Sequence, residues 1–436
     1  MTTMQNISSR WALHFEPVLF LLVPVYALFT TPQTLLIVQV LFVSLGAIPI
    51  FFITQRTLKS NLAGFVFAIV YLLFPALEGA IVFDFHAVTL AATFFSFSLW
   101  FLTTRRYKLM LVMLLLAMAC KENMALIVLV MGGYIWLVQK ERRWGLSVIS
   151  IAVLWFVVAN FIIIPWHSPA GQNIHLARYS RWGDCMSEMV GHFLRRPFDV
   201  LNYIFSGDRL LYWVRSTLPV AFVALLDPLL VAMALPIMLI NTLSSYPPNY
   251  QLDRFHYSAV IVPFIVVAGI YGLARLLRFA SPKFKHVKPG FLQTLLLMTI
   301  LLVTLIYQVQ FGHTPLGRYF SWPVVTQHHQ LAETMLAKIP PRAAVAAQNN
   351  LVPRLSQRES IFILPKISHQ GVQAEYIAFD MQSLPFQYDY IDTYCSHIQQ
   401  FVADVDYGLI FANDGLLLFQ RNVADLTNYT PVPPCR

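Results

Sequence analysis

Apolar residues run in long blocks broken by short polar or basic turns. The clearest blocks are Thr34–Thr54, Leu62–Leu77, Ala87–Thr103, Leu109–Ala119, Met124–Val138, Leu146–Trp166, Ala259–Ala274 and Phe291–Phe311. A helix rises about 1.5 Å per residue and a bilayer core takes about 20 residues, so these blocks predict membrane-crossing helices. Val18–Thr30 is shorter and follows Pro17 and carries Pro24, which predicts a kinked span or an interfacial helix. Leu218–Leu226 and Leu229–Leu243, divided by Asp227-Pro228, predict a shallow hairpin. The expectation is about ten or eleven crossings, several of them short or broken.

From Gly312 onward the pattern changes. Val324–Ile339 and Ile391–Val405 have helical periodicity, and Ala343–Ala347, Ser360–Leu364 and Glu375–Phe379 read as strands. Tyr407–Ala412 and Leu416–Gln420 flank Asn413-Asp414-Gly415, a turn signal that predicts a hairpin. The fold class expected is thus a polytopic α-helical membrane domain over residues 1–311 and a small α/β domain over residues 312–436.

Composition agrees with that class: 57% of residues are hydrophobic, 12% are charged, and the mean hydropathy is +0.61. The net charge of +9 resides largely in short loops, at Arg56, Lys59, Arg105, Arg106, Lys108, Lys140, Arg142, Arg143, Arg275 and Arg278. Such loops stay cytoplasmic, so the charge implies membrane orientation and no nucleic-acid partner. The same rule sends the long loop 167–215 and the C-terminal domain to the extracytoplasmic side of a plasma (inner) membrane. Of the four cysteines, none has metal-ligand spacing, and Cys395 with Cys435 makes a bridge only if that region is oxidising.

One stretch stands apart. Tyr107–Val138 is too long for one crossing and too short for two, which predicts two short helices meeting at Lys121-Glu122 below the membrane surface. Charges at such depth cost roughly 2.5 to 3.5 kcal/mol each and normally face a protein interior or a wet cavity. The turn at Arg105-Arg106 brings Asp84 and His86 of Phe83-Asp84-Phe85-His86 to the same membrane face. His14, Glu16, Glu78, Arg178, Arg181 and His256 complete an outer-face constellation. Arg and Lys hold phosphate oxygens, and a carboxylate deprotonates a hydroxyl, so the set suits a phosphate-bearing lipid. Plainer readings stand beside it: Lys121 and Glu122 as helix caps that snorkel, Asp84 and His86 as a polar helix start, Arg178 and Arg181 as headgroup contacts, His256 as an interfacial anchor. Phosphate loops, dinucleotide-binding glycines, His-Glu-x-x-His and Gly-x-Ser-x-Gly are absent from the sequence.

With these residues in hand, the chain resembles the prokaryotic multi-pass family catalogued as domain of unknown function 2079, grouped with the GT-C superfamily of membrane glycosyltransferases. The carriers are His14-Phe15 with Pro17, Phe83-Asp84-Phe85-His86, Lys121-Glu122, Arg178-Tyr179 with Gly183, Leu235-Pro236 with Asn241 and Ser244, and the run from Ala346-Ala347 through Leu351-Val352-Pro353 to Leu355-Ser356 and Arg358. The resemblance implies transfer of a sugar from a polyprenyl-phosphate carrier to an acceptor outside the cytoplasm, by inverting displacement and sometimes with a divalent cation, Mg or Mn. Membrane lipids and a lipid-linked sugar donor are then the partners.

Family members usually begin with a further span and an outer loop bearing an Asp-Leu-Gly element, the expected base, and this chain begins just after that point. It is expected to be truncated, or a reduced form whose chemistry is lost or passes to Glu16, Asp84 or Glu122. Arg354 stands where His is expected. The resulting assignment is Asp84 or Glu122 as the acidic or metal-binding group, Lys121 and Arg178 as phosphate holders, and His86, His14 and Arg181 as substrate contacts, with Asp84 and His86 the candidate metal ligands. Activity is expected to vanish in Asp84→Asn or Lys121→Ala. The alternatives are a non-catalytic lipid-glycan binding or assembly subunit and a transporter that couples through Lys121-Glu122.

Overall fold

A computed structural model describes residues 9–169, 171–283, 286, 288–383 and 391–425. The chain is mostly helical as far as Phe311 and carries its strands from Val345 onward. Among the described residues, four helices are long and apolar enough to cross a membrane: Pro32–Leu58, Arg142–His167, His256–Ala280 and Gly290–Phe311. Asn61–Leu72 and Pro75–Phe83 form a further span bent by 42°. Pro75 opens the second half of that span, and the missing N–H and ring bulk of proline break the helical ladder there. Leu19–Leu28, Ala87–Thr103, Tyr107–Met118, Met124–Leu137 and Pro228–Leu243 are shorter apolar helices. Full-length spans are thus fewer than the sequence count of crossings, because many of the apolar blocks are only 10–17 residues long as helices.

The basic turns are tight. Lys59, Arg105 and Lys140 each sit in the left-handed region, with φ of 51°, 56° and 63°. Ser60 then caps the next helix by accepting from the Ala63 N–H at 3.2 Å, and Arg105 pairs with Glu141 at 3.2 Å. Successive helices therefore fold back on themselves, with Lys59, Arg105 and Lys140 at one end and His86, the 119–123 break, His167 and His256 at the other. His256–Ala280 is central: its apolar window is 72% buried, against 39% or less in the other long helices. It packs on Ala47–Leu58, Asn61–Leu72, Ala87–Thr103 and Pro228–Leu243.

The loop expected over 167–215 instead carries three short amphipathic helices, Met186–Arg195, Pro197–Ile204 and Gly207–Thr217, the last running just past its end. Helices of two or three turns offer too few repeats for a period to be read against so many polar residues. Asn160 donates to Phe156 O of its own helix at 3.1 Å, within the π-helical stretch Val158–Ile163.

The C-terminal region holds a sheet of five strands. β1 (Val345–Ala347) lies between β2 (Ile361–Ile363) and β5 (Tyr376–Asp380), both parallel to it. β7 (Leu416–Arg421) runs antiparallel to β5, and β6 (Tyr407–Asn413) closes the hairpin through Asp414-Gly415. Two two-residue strands, β3 (Ser368–His369) and β4 (Val372–Gln373), pair separately. Alternation gives the sheet two apolar faces. Phe362, Ile377, Phe379, Leu417 and Phe419 meet Ile391–Val402. Val345, Ala347, Ala378 and Leu418 meet the helix Gln327–Leu336. Cys395 is disulfide-bonded; its expected partner Cys435 lies outside the described residues.

Glu78 ties the end of the Pro289–Phe311 helix and the segment after it to the rest of the helical region. Its carboxylate accepts from the His313 N–H at 2.8 Å and from Gln308 Nε2 at 2.9 Å. A second tie is Gln357 Nε2, which donates to the Tyr26 hydroxyl at 2.7 Å.

Candidate functional site: a cationic cavity at the helix break

The helix Tyr107–Met118 ends at Ala119, and Met124 starts the next, so residues 119–123 form the break expected from span arithmetic. The N-terminal segment packs into it. The Val18 N–H donates to Ala119 O at 3.0 Å, and Glu122 accepts from the Phe15 N–H at 3.2 Å and from His14 Nδ1 at 3.1 Å. Glu16, buried beside it, pairs with Arg10 at 2.7 Å. Two of the three acidic candidates from this neighbourhood are thereby already engaged.

The break opens on a cavity of about 300 Å³. His14, Lys121, Glu122, Asn123, His175, Arg178, Asn249, His256 and Tyr257 supply its polar lining. Its apolar wall comes from Leu176, Met186, Met189, Val190 and Phe193 on one side and Ile237, Ile240 and Leu243 on the other. The residues after His167 thus contribute a side of the cavity.

Two cations line it. Lys121 is only 8% exposed, yet among the described residues its ammonium has no ion pair and no hydrogen bond; it lies 5.9 Å from the Tyr257 ring centroid. The Arg178 guanidinium stands 4.5 Å over the Tyr246 ring and 5.8 Å from that of Tyr257, with a long bond of 3.5 Å to Asn249 Oδ1. Among the described residues, no carboxylate lies within ion-pair distance of either. Stacked on His14 is His175, with ring centroids 4.6 Å apart. Burial first, then the neighbouring His14, Arg178 and Lys121, push the His175 imidazole down to about 2. Burial, then Lys121, Arg10 and Arg178, likewise hold His14 well below its ordinary value. Both rings are neutral at pH 7, so the two cations outnumber the one carboxylate of the lining, Glu122, and the cavity's net charge is positive. Among the described residues, buried Asn123 Oδ1, His175 Nε2 and His256 Nδ1 find no partner. Such groups are costly unless something else meets them.

The remaining sequence candidates lie elsewhere. Asp84 is exposed and outside the cavity lining, with Oδ1 accepting from the Phe85 N–H at 2.7 Å. This geometry removes it from the set that faces Lys121. His86 stacks on His256 with ring centroids 3.6 Å apart, and its Nδ1 sits 3.5 Å from Asp84 O. His86 therefore approaches the cavity only through His256, which lines it. Gly79 permits this packing, because a Cβ there would strike the Asp253 carbonyl. Arg181 lies on the outer side of the loop, 3.9 Å from Asp199 and 4.6 Å over Tyr203, and does not reach the cavity. Glu78 serves the joint described above, and Arg354 pairs with Glu333 at 3.0 Å.

The pair Asp84 and His86 does not fit a divalent cation: among the described residues no three His, Cys, Asp or Glu side chains gather as ligands. Sequence reasoning missed Gln39, fully buried, which donates to Asp84 O at 3.0 Å and accepts from the His86 N–H at 2.9 Å. An amide alone in an apolar span is the signal that marked it. It also missed His175, Asn249 and Tyr257, which carry no motif and meet the break only in three dimensions.

A family model described as a predicted membrane protein, DUF2079, matches residues 2–418. No curated protein matches the chain. With nearly the whole length covered, the chain belongs to the DUF2079 family.

Proposed function

We propose that this membrane protein binds a lipid-linked, phosphate-bearing sugar in the Lys121–Arg178 cavity and acts as a GT-C-type glycosyltransferase at the extracytoplasmic face. The observation that carries the reading is a pair of cations without carboxylate partners, set in a cavity whose wall is otherwise largely apolar. A phosphate would satisfy both through charge-assisted hydrogen bonds, and the prenyl chain would lie along Met186, Met189, Val190 and Ile240. The orientation is supported by the basic turns at Lys59, Arg105 and Lys140, of the kind that stays in the cytoplasm, which lie at the opposite end from the cavity. The disulfide at Cys395 suits the same, oxidising side. Lys121 and Arg178 hold the phosphate and stabilise the leaving-group charge as the glycosidic bond breaks.

A second reading, a non-catalytic binding or assembly subunit, is favoured by the engagement of Glu122 with His14 and Phe15. Equilibrium binding of labelled farnesyl phosphate to the purified protein in nanodiscs tests the shared claim. Saturable binding lost in the Lys121→Met, Arg178→Met double variant is expected. Equal binding by both proteins rejects the site. Transfer from a panel of prenyl-phosphate sugars then separates the enzyme from the binding subunit.

A further inference from the structure

We propose that His14, and not a carboxylate, is the proton acceptor of this cavity, with Glu122 as its positioning residue. The inference rests on the lipid-phosphate reading above. Three observations carry it. Glu122, 4% exposed, accepts from His14 Nδ1 at 3.1 Å and is itself pinned by the Phe15 N–H at 3.2 Å. That contact assigns the Nδ1–H tautomer and leaves the lone pair on Nε2. A carboxylate that fixes tautomer and ring orientation makes the opposite nitrogen the base. Second, among the described residues His14 Nε2 has no hydrogen-bond partner, while the residue lines the cavity and its side chain is 20% exposed. Third, the ring is clamped by parallel stacking on His175, with planes 11° apart, so it is held in place without its free nitrogen being used.

The other acidic groups are less suited. Glu16 is paired with Arg10, and Asp84 lies outside the cavity. Burial and the adjacent Lys121 keep His14 neutral before the step, and the Glu122 carboxylate at Nδ1 favours the imidazolium that forms against that bias. The step balances as follows. An acceptor hydroxyl oxygen attacks the anomeric carbon of the lipid-phosphate sugar, forming a new C–O bond. The bond from that carbon to the phosphate oxygen breaks, its electron pair leaves on the phosphate held by Lys121 and Arg178, and the hydroxyl proton passes to His14 Nε2.

Diethyl pyrocarbonate, which acylates neutral imidazole at an accessible nitrogen, reads the claim on the unaltered protein. In nanodiscs, with modified peptides quantified by mass spectrometry, His14 is expected to react and to be protected at least fivefold by saturating farnesyl phosphate. His14 that stays inert, or that reacts equally with farnesyl phosphate bound, overturns the inference. A wild type that shows no saturable farnesyl phosphate binding instead overturns the underlying site, and the inference with it. His14→Gln adds the kinetic arm. Farnesyl phosphate affinity should hold within about threefold while transfer from any accepted prenyl-phosphate sugar falls roughly 100-fold, the usual scale of a lost general base. Transfer by His14→Gln at the wild-type rate overturns the assignment. Where the panel gives no wild-type transfer, the footprint decides alone.

Discussion

Two clusters in this protein are built from the same residue types and end in opposite states. At the carboxyl end of β5, Asp380 Oδ1 accepts from His328 Nε2 at 3.1 Å and from the Gln382 N–H at 3.0 Å, and Oδ2 accepts from Asn350 at 2.7 Å. His328 Nδ1 meets Asp414 at 2.9 Å. Both ring nitrogens and both carboxylate oxygens are satisfied, and the cluster ties the helix Gln327–Leu336 to the sheet. In the cavity, Lys121 and Arg178 face Tyr257, and among the described residues neither has an ion-pair partner. A satisfied network rigidifies its surroundings, whereas uncompensated buried charge is a cost that a ligand can relieve. The contrast separates a structural cluster from a site, although both contain His beside acid.

The comparison is most sharply broken at Asp380. Asp380→Ala strips three hydrogen-bond partners at once, and leaving buried polar groups unpaired costs about 1 to 3 kcal/mol. Unfolding of the full chain in detergent should show that loss, with farnesyl phosphate affinity unchanged. Lys121→Met should do the reverse. Affinity falls about 10- to 100-fold, as for loss of one charge-assisted bond, while the unfolding midpoint holds or rises because a buried cation without a partner has gone.

Acid sharpens the comparison next. The unfolded chain takes up a proton at His175 near the ordinary value of about 6.5, whereas the folded ring resists protonation down to about 2. The contribution of neutral His175 is therefore complete above that ordinary value. It is lost progressively as pH falls below it, by at most about 1.4 kcal/mol per unit. Melting midpoints from pH 8 to pH 5 should fall, and less steeply in His175→Phe, which keeps the stacked ring. The smallest effect belongs to Asp84→Asn. Its exposed carboxylate lies outside the cavity, so stability should move by less than about 0.5 kcal/mol and affinity not at all.

How far the chain was legible depended on the length scale of each feature. The Ala87–Thr103 helix, the basic turn after it and the break at Lys121-Glu122 are set by local hydropathy and span length, and all three stand where the sequence put them. So do the strands β1, β2 and β5 and the hairpin around Asp414-Gly415, where β-rich runs alternate with turn residues. The three helices after Cys185 were not legible, because each has only two or three turns. Within the site, Lys121, Arg178 and His14 were found by charge in an apolar setting. His175 and Tyr257 were not, since only tertiary packing brings the 174–179 turn and the start of the His256–Ala280 span to the break. Asp84 was overvalued for the converse reason: sequence proximity to a membrane face says nothing about which side of a helix start a carboxylate takes.

The central claim is that a phosphate-bearing lipid occupies the cavity between Lys121 and Arg178. Photo-crosslinking with a farnesyl phosphate analogue carrying a benzophenone on its chain, followed by peptide mapping, tests it most directly. Crosslinks concentrated on Leu176, the 186–193 helix and the 237–243 segment, and abolished in the Lys121→Met, Arg178→Met double variant, are the predicted result. Labelling spread along lipid-facing helices such as Pro289–Phe311, and unaffected by the double variant, would contradict it.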